Sequence, residues 1–314
     1  MKYGKKIVAL AGGVGGAKLA DGLAQCLEPD ELAIIVNTGD DLEHLGLSIS
    51  PDLDTVCYTL AELANPDSGW GRDQESWRTL EEIKKLQGPD WFAIGDLDLA
   101  THLERTRRLR EGQTLSEITA HFCRRWGIHV PIFPMSDTPV RTYVHCQDGR
   151  CLAFQEYFVK YHFEPQIRSI EFENMKNAVV PEKALTALKN ADFVLFCPSN
   201  PFVSIDPIIQ IEAVGSIIAQ KKVIAVSPLI GGEALKGPAA KMFHELGMKP
   251  GSSAVADHYR AILDLFVLDH KDEAQIALIE GWGIICKALD IFMPDRPARK
   301  RLAGQILKIL DEQT

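Results

Sequence analysis

The stretch that most constrains the fold is the glycine-rich segment at residues 6–22, KIVALAGGVGGAKLADG. A short apolar run from Ile7 to Ala11 ends at paired glycines, and a helical pattern begins at about Gly16. A strand, a glycine turn and a helix form an anion site, because helix N-terminal N–H groups point outward and glycines let a phosphate approach closely. The segment therefore predicts a phosphorylated ligand. The candidate contacts are Gly12, Gly13, Gly15, Gly16 and Lys18.

The spacing of this segment does not name the ligand. Gly-Gly-x-Gly-Gly-x-Lys matches neither the dinucleotide fingerprint nor the Walker A loop. A tight turn without any ligand is the alternative, because glycines also permit sharp backbone turns. Lys18 is accordingly either a phosphate contact or a residue of the helix start.

Bulk composition excludes several classes of partner. The chain has 314 residues and a net charge of −9, so no broad basic field is present to bind nucleic acid or an anionic membrane. The arginines at 105, 107, 108 and 110 are interpreted as a solvated helix face. Seven cysteines without paired spacing indicate reduced thiols, and no apolar run is long enough to span a bilayer. We therefore expect a soluble cytoplasmic protein.

Strand and helix patterns alternate along the chain. Strands are predicted at 7–11, 32–36, 91–94, 128–133, 140–146, 151–154, 193–196, 222–226 and 266–268. Helices are predicted at 19–27, 55–63, 74–86, 99–111, 115–126, 181–190, 214–219 and 297–311. This order predicts a Rossmann-like α/β fold, a mainly parallel sheet with helices on both faces. We expect a single domain over 1–314, with a smaller inserted β-rich subdomain at about 130–180.

Polar side chains follow most of the predicted strands, where parallel sheets bind ligands. The segments are Asn37–Asp41 with Ser50–Thr55 shortly after, Gly95–Asp98 with Thr101–His102, Pro134–Asp137, Pro198–Pro201 and Ser227–Pro228. Aspartates beside a phosphate loop suit phosphoryl transfer with Mg²⁺, which prefers oxygen ligands, and one carboxylate can accept a proton. Each single aspartate has an alternative interpretation as a turn or helix-cap residue.

Four aromatic or imidazole side chains near these segments have simpler interpretations. His44 and His102 are expected to be structural, although His102 has a phosphate contact as its alternative. Trp91 is expected to pack in the core, and Trp70, between two glycines, to lie at a surface cleft.

Taken together, these segments resemble the 2-phospho-L-lactate transferases. The matching motifs are 12–19, 37–41, 50–55, 95–102, 134–137, 198–201, 204–205, 227–232 and 236–239. Their order is consistent from the first strand to about residue 270, and the combination is far more specific than the glycine loop alone.

The resemblance implies an enzyme of coenzyme F420 biosynthesis. In that family a phospho-acid passes from a guanosine diphosphate-linked three-carbon acid to the ribityl hydroxyl of the deazaflavin Fo, with Mg²⁺ and release of GMP. It implies that the glycine loop cradles the diphosphate, and that Ser199, Asn200 and Ser204 lie near the guanosine. It also implies that aspartates hold Mg²⁺ and orient the attacking hydroxyl. The implied metal ligands are Asp40, Asp41, Asp52 and Asp54, of which Asp41, Asp52 and Asp54 are also catalytic candidates.

Asp54 is the residue most expected to contact Fo. The further binding residues that the matching motifs imply are Asn37, Thr55, Asp96, Asp98, His102, Ser136, Asp137 and Ser227. Two positions depart from the family pattern, since Ala93 and Leu97 stand where the family often has basic residues. These departures affect the acceptor contacts and leave open which acid, lactate, enolpyruvate or glycerate, is carried.

The main alternative is a non-enzymatic regulator that binds a nucleotide sugar and shares the fold. Such a protein needs the phosphate loop and no metal cluster, so the aspartates at 40, 41, 52 and 54 favour the transferase. Apolar helices near the C-terminus predict a homodimer.

Overall fold

The computed structural model describes residues 2–234 and 237–312. Within them the strands are β1 (Ile7–Ala11), β2 (Leu32–Val36), β3 (Leu42–His44), β4 (Leu47–Ile49), β5 (Ile132–Pro134), β6 (Arg141–Cys146), β7 (Cys151–Ala153), β8 (Ile167–Glu173), β9 (Phe193–Phe196), β10 (Lys222–Val226), β11 (Leu229–Ile230), β12 (Glu233–Ala234), β13 (Leu265–Asp269) and β14 (Ile285–Leu289). The helices are α1 (Gly13–Ala24), α2 (Pro51–Leu60), α3 (Arg78–Lys85), α4 (Asp96–Arg110), α5 (Leu115–Arg125), α6 (Glu182–Asn190), α7 (Asp206–Ile209), α8 (Glu212–Ile218), α9 (Ala239–Glu245), α10 (Ser252–His258), α11 (Ile276–Glu280) and α12 (Arg296–Glu312).

A seven-stranded parallel sheet forms the centre, in the order β14-β13-β10-β9-β1-β2-β5. The chain runs outward from β1 through β2 to β5, returns to the other side of β1, and continues through β9 to β14. This is the strand order of a Rossmann-like fold with one added strand, which confirms the predicted fold class. The order reverses between β1 and β9, so the ligand crevice of such a sheet lies at the carboxyl ends of these two strands.

Helices cover both faces of the sheet, because alternate residues of each strand point to opposite sides. On β1, Ile7 and Ala9 join a buried cluster with α1, α2, α5 and α12, whereas Val8 and Leu10 join a second cluster with α6, α8, α9 and α10. All five residues of β1 are buried. Near-continuous apolar runs of this kind are typical of strands buried on both faces.

Several predicted elements are confirmed to the residue. They are the strands Ile7–Ala11, Leu32–Val36, Phe193–Phe196 and Lys222–Val226. Helix α5 begins with a capping box, in which the Thr114 side chain accepts from the Glu117 N–H. Helix α1 begins at Gly13 instead of about Gly16, because the glycines themselves form its first turn.

The strand predicted at 91–94 is wrong. This segment is irregular. Its Ile94 side chain forms a small separate hydrophobic cluster with Leu42 and Ile49 of the β3–β4 hairpin. A run of four apolar residues does not by itself distinguish a strand from a buried loop. Asp96 and Asp98 therefore lie in the first turn of α4 and do not follow a strand.

A three-stranded antiparallel sheet, in the order β7-β6-β8, lies within the region predicted to be β-rich. The strands predicted at 140–146 and 151–154 are present as β6 and β7, and they pair as a hairpin with Val144 opposite Leu152. The inner residues of β6 and β7 join the same hydrophobic cluster as one face of the central sheet. The strands β3, β4, β8, β11, β12 and β14 have no counterpart in the predicted elements. Division of the chain into a domain and an inserted subdomain stays a prediction.

In the described part of the chain, no single helix has the length and apolar composition needed to cross a membrane. One pair of helices meets both criteria when taken together, Pro201–Ile209 and Glu212–Ile218, and it is bent by 90°.

Candidate active site

The glycine loop lies at the sheet's switch point and contacts the loop that follows β9. The Gly12 N–H donates to Ser199 Oγ at 3.0 Å, and that hydroxyl donates to the Gly12 carbonyl at 2.9 Å. A Cβ atom on Gly15 would lie 2.3 Å from the Pro198 carbonyl oxygen, and Gly13 has a φ of +60°, which favours glycine. Gly15 is thus required by close packing and Gly13 by its backbone conformation, and the loop presents the N-terminus of α1 at the crevice.

Asp52 covers the N-terminus of α1. A Cβ atom on Gly12 would lie 2.5 Å from Asp52 Oδ2 and 2.6 Å from Ser204 Cβ, so the loop, α2 and the segment after β9 meet at one point. The Gly13 N–H and the Ser204 hydroxyl both lower the pKa of Asp52, although burial has the larger, opposite effect and raises it to about 6. Ser204 and Asp52 are therefore part of the glycine-loop site.

Asn37, at the carboxyl end of β2, forms hydrogen bonds to both α2 and the segment after β9. Its Nδ2 group donates to Asp52 Oδ2 at 2.9 Å and to the Val203 carbonyl at 3.0 Å. Its Oδ1 atom accepts the Gly39 N–H at 2.8 Å, which fixes the turn that leads to the next aspartates. Asn37 is fully buried, and all of these bonds are internal, so its observed role is to orient Asp52.

Asp40, Asp41 and Asp52 form what we term the open triad. Oδ1 of Asp40 and Oδ1 of Asp41 are buried, and within the described residues neither has a hydrogen-bond partner. The other carboxylate oxygen of Asp41 accepts from Ser50 Oγ at 2.7 Å. Buried oxygens without partners are costly, because an unpaired polar group loses its hydration without compensation.

The proton affinities of the open triad reflect this burial. Burial, together with the charge of Asp52, raises the pKa of Asp40 well above its ordinary value. Burial raises the pKa of Asp41 to about 7, although Arg141 and the Ser50 hydroxyl act to lower it. Three crowded carboxyl groups with raised pKa values are arranged to share a proton or a cation.

The side chains of the open triad carry the chemical type of donor that a hard divalent cation prefers. Carboxylate oxygens are the usual ligands of Mg²⁺, and two of them, Asp40 Oδ1 and Asp41 Oδ1, lack a hydrogen-bond partner within the described residues. A cation there would also offset the repulsion between the triad and a phosphate held at the N-terminus of α1.

Asp54 has a different environment, in what we term the closed cluster of Asp54, Asp98, His102 and Arg105. The Arg105 guanidinium donates to both carboxylate oxygens of Asp54, to Oδ2 at 3.0 Å and also to Oδ1. Both side chains are buried, Arg105 to 2% exposure. Burial acts to lower the pKa of Arg105, but the charge of Asp54 raises it above the ordinary value. Asp54 is thus neutralised within the protein.

Asp98 and His102 complete the closed cluster. Tyr58 Oη donates to Asp98 Oδ1 at 2.7 Å, and His102 Nε2 lies 3.3 Å from Asp98 Oδ2. Burial acts to raise the pKa of Asp98, but His102 and Tyr58 hold it below its ordinary value. Ligand atoms of Asp54, Asp98 and His102 lie within 4.8 Å of one another, a spacing that a metal ion can bridge. The Arg105 charge on Asp54 disfavours a cation there.

Other residues implied by the resemblance have local structural partners. Lys18 Nζ donates to the Met293 carbonyl at 2.8 Å. Asn200 Oδ1 accepts the Phe202 N–H at 3.0 Å, and Thr55 is buried in α2. Ser227 is fully buried and bonds Ser252 Oγ at 2.9 Å. Their assignment as ligand contacts stays a prediction.

Three further candidates cap turns or helices. The Asp137 carboxylate accepts from the Ser116 N–H at 2.7 Å and from its hydroxyl at 2.9 Å, at the start of α5. Ser136 Oγ accepts the Val179 N–H at 3.1 Å. Asp96 accepts the Thr79 N–H at 3.1 Å, and its hydrogen bonds lower its pKa to about 2. The turn or cap interpretation therefore describes Asp96 and Asp137 as they stand.

The packing predicted for His44 and Trp91 is observed, and Trp70 lies at the surface as expected. A cleft at Trp70 stays a prediction. His44 is buried and stacks edge-on against Trp91, with ring centroids 5.2 Å apart. Trp91 packs with the cluster of Leu42 and Ile94, and Trp70 is 50% exposed.

Arg105 and Arg141 were not predicted as site residues, and the interpretation of 105–110 as a solvated face is wrong for Arg105. The buried side of α4 carries Thr101, His102, Arg105 and Thr106, at helical spacings of three and four. The polar residues at these spacings could have indicated the buried cluster from the sequence. A helix with polar side chains on its buried side must pair them with other groups inside the protein.

Comparisons with known proteins agree with this fold and with the family that the motifs resemble. The family model described as 2-phospho-L-lactate transferase CofD matches residues 7–281. A phosphoenolpyruvate transferase of Kitasatospora aureofaciens is 39% identical, covering 98% of each chain. A 2-phospho-L-lactate transferase of Methanosarcina acetivorans is 37% identical, covering 97% of this chain and 99% of the relative. A solved UPF0052-family structure from Bacillus halodurans aligns with a TM-score of 0.64 over 96% of this chain and 99% of its own, at 14% identity, which concerns the fold alone.

The strand order and the crevice at β1 and β9 define a Rossmann-like α/β protein with a glycine-loop site. The chain belongs to the CofD family of 2-phospho-L-lactate transferases. It is accordingly a transferase, as the sequence motifs predict.

Proposed function

We propose that the protein catalyses a Mg²⁺-dependent step of coenzyme F420 biosynthesis, the transfer of a phospho-acid from a guanosine diphosphate-linked donor to the deazaflavin Fo. The transferred group is 2-phospho-L-lactate or its enolpyruvyl or glyceryl relative. The ribityl hydroxyl of Fo attacks the phosphorus that carries the acid, a new P–O bond forms, and the bond to the bridging oxygen breaks to release GMP. The hydroxyl proton passes to a carboxylate.

One observation carries the proposal: within the described residues, one carboxylate oxygen of Asp40 and one of Asp41 are buried without a hydrogen-bond partner, and the third member of their triad, Asp52, covers the N-terminus of α1. That helix end is suited to a phosphate, but Asp52 beside it repels one. A divalent cation between them resolves this conflict, and Asp40, Asp41 and Asp52 are the residues that would hold it. The bound ion supplies charge neutralisation at the transferred phosphoryl group.

The chain's own residues then have distinct roles in the proposal. The N-terminus of α1 binds the diphosphate, and Asn37 holds Asp52 in place through the bond at 2.9 Å. Asp52, which faces the N-terminus of α1, is the carboxylate placed to accept the hydroxyl proton. Asp54 acts by anchoring Arg105, because both of its carboxylate oxygens accept from that guanidinium. Positioning and charge neutralisation account for the reaction without a covalent intermediate.

The test is a turnover assay with the purified protein, Mg²⁺, Fo and each of the lactyl, enolpyruvyl and glyceryl donors. We expect GMP release together with a phospho-acid ester of Fo, identified by mass spectrometry, with at least one donor and none in EDTA. The absence of GMP release with all three donors would contradict the proposed reaction. Size-exclusion chromatography with light scattering tests the predicted homodimer separately.

A further inference from the structure

A cavity of about 100 Å³ lies next to the open triad, between the β3–β4 hairpin, α4 and the start of β6. Asp41 and Ser50 border it on the side of the triad, and Arg105 and Arg141 line it as well. A space of this size holds a small anion such as a carboxylate.

The two arginines give this cavity its chemistry. Arg141 is half-buried, its Nη1 donates to the Val140 carbonyl at 3.2 Å, and in the part of the chain that the structure describes it forms no ion pair. Arg105 is 2% exposed, and its Nε has no hydrogen-bond partner within the same ranges. A guanidinium matches a carboxylate through paired N–H donors, so unsatisfied donors of this kind indicate a site for a planar anion.

The acids that border the cavity form no ion pair with Arg141 in the described part of the chain. Both oxygens of Asp137 accept from Ser116, at 2.7 and 2.9 Å. Asp41 accepts from Ser50 through one oxygen and belongs to the proposed metal site through the other. Arg141 therefore remains as the cation that a bound anion would meet.

We propose that this cavity binds the carboxylate of the transferred three-carbon acid, and that Arg141 is the residue that recognises it. The inference rests on the proposed function, and it adds the subsite that distinguishes a phospho-acid from a simple phosphate ester. In phospholactate the carboxyl carbon is two bonds from the ester oxygen, so the carboxylate subsite must adjoin the phosphoryl site. Asp41 borders both, which places the two subsites side by side.

The experiment measures binding, so that its outcome is independent of turnover. Calorimetry in Mg²⁺ compares 2-phospholactate with isopropyl phosphate, which has a methyl group in place of the carboxylate. The proteins are the wild type, Arg141→Met, Arg141→Lys and the control Arg150→Met. Arg150 lies in the β6–β7 turn and is exposed, paired with Asp148. Thermal unfolding of each variant verifies that it is folded.

We expect Arg141→Met to weaken 2-phospholactate binding by about 10- to 100-fold, because a charge-assisted hydrogen bond is lost. Isopropyl phosphate should bind the wild type and this variant equally, Arg141→Lys should recover part of the loss, and Arg150→Met should match the wild type. Equal binding of 2-phospholactate by the wild type and Arg141→Met would overturn the proposal, and so would no preference of the wild type for the acid. Failure of turnover with intact discrimination would contradict only the proposed reaction.

Discussion

The open triad and the closed cluster are built from the same short motif and reach opposite electrostatic outcomes. Asp52 and Asp54 are two residues apart in the first turn of α2. Residues two apart on a helix point in different directions, so one faces the glycine loop and the other faces α4. Asp54 meets the buried Arg105 there, whereas Asp52 meets Asp40 and the N-terminus of α1.

The difference shows how to separate a structural acid from a functional one. A carboxylate that is neutralised by an internal arginine contributes to the folded state, and removal of its partner is costly. A buried carboxylate whose oxygens lack partners is retained at a cost in stability, which is typical of sites that bind a ligand or an ion. The closed cluster belongs to the first kind and the open triad to the second.

Asp41→Asn should produce the largest effect of the variants considered. We expect kcat in the Fo assay to fall by about 100- to 1,000-fold, because the variant removes a charged oxygen ligand at the transferred phosphoryl group. GMP release under saturating donor and Mg²⁺ is the measurement. Asp148→Asn, in an exposed turn, is the matched control and should retain wild-type turnover. Equal rates for Asp41→Asn and the wild type would place the metal site elsewhere.

Arg105→Met should destabilise the protein by about 3–5 kcal/mol, since Asp54 would be left as a buried, unpaired charge. Urea unfolding of the two proteins gives this difference. The control is Arg107→Met on the same helix, where the arginine is 50% exposed and pairs with Glu104 and Glu111 at the surface. Little change is expected for the control, because surface ion pairs contribute little. A similar loss in both variants would remove the distinction between the closed cluster and an ordinary helix surface.

The pH dependence of stability should distinguish Asp41 from a paired acid. Its pKa rises from 3.8 to about 7 on folding, so the unfolded chain releases this proton first as the pH increases. The contribution of Asp41 to the free energy of unfolding is fully present below pH 3.8. It decreases as the pH rises to about 7. In EDTA, the stability of Asp41→Asn relative to the wild type should therefore increase between about pH 4 and about pH 7, by a few kcal/mol. A difference that is constant with pH would contradict the raised pKa, and Mg²⁺ should stabilise the wild type more than the variant.

Tyr58→Phe should have the smallest effect. We expect its free energy of unfolding to fall by about 1 kcal/mol, because the hydrogen bond from Tyr58 to Asp98 is lost. Mg²⁺-induced stabilisation should be unchanged, because Tyr58 belongs to the packing around the closed cluster. Tyr143→Phe, on β6, is the control for loss of a hydroxyl. Loss of Mg²⁺ stabilisation in Tyr58→Phe would show that the two clusters are coupled.

Sequence patterns predicted the central strands and the glycine-loop crevice, because both depend on local signals. The runs Ile7–Ala11 and Phe193–Phe196 are apolar throughout and bounded by turn residues, so their limits are visible in the sequence. The pairing of Asp54 with Arg105 spans 51 residues, and no local pattern encodes such a contact. The prediction of a strand at 91–94 was wrong for a related reason, because packing against the distant β3–β4 hairpin determines the conformation of this segment.

Manganese binding, measured by electron paramagnetic resonance, shows which of the two clusters holds the divalent ion. We expect the wild type and Asp98→Asn to bind Mn²⁺ equally, and Asp40→Asn to bind it at least about tenfold more weakly, since a charged ligand oxygen is lost. Mg²⁺ should displace the bound ion in competition. Loss of Mn²⁺ binding in Asp98→Asn with retention in Asp40→Asn would contradict the account, because the ion would then belong to the closed cluster.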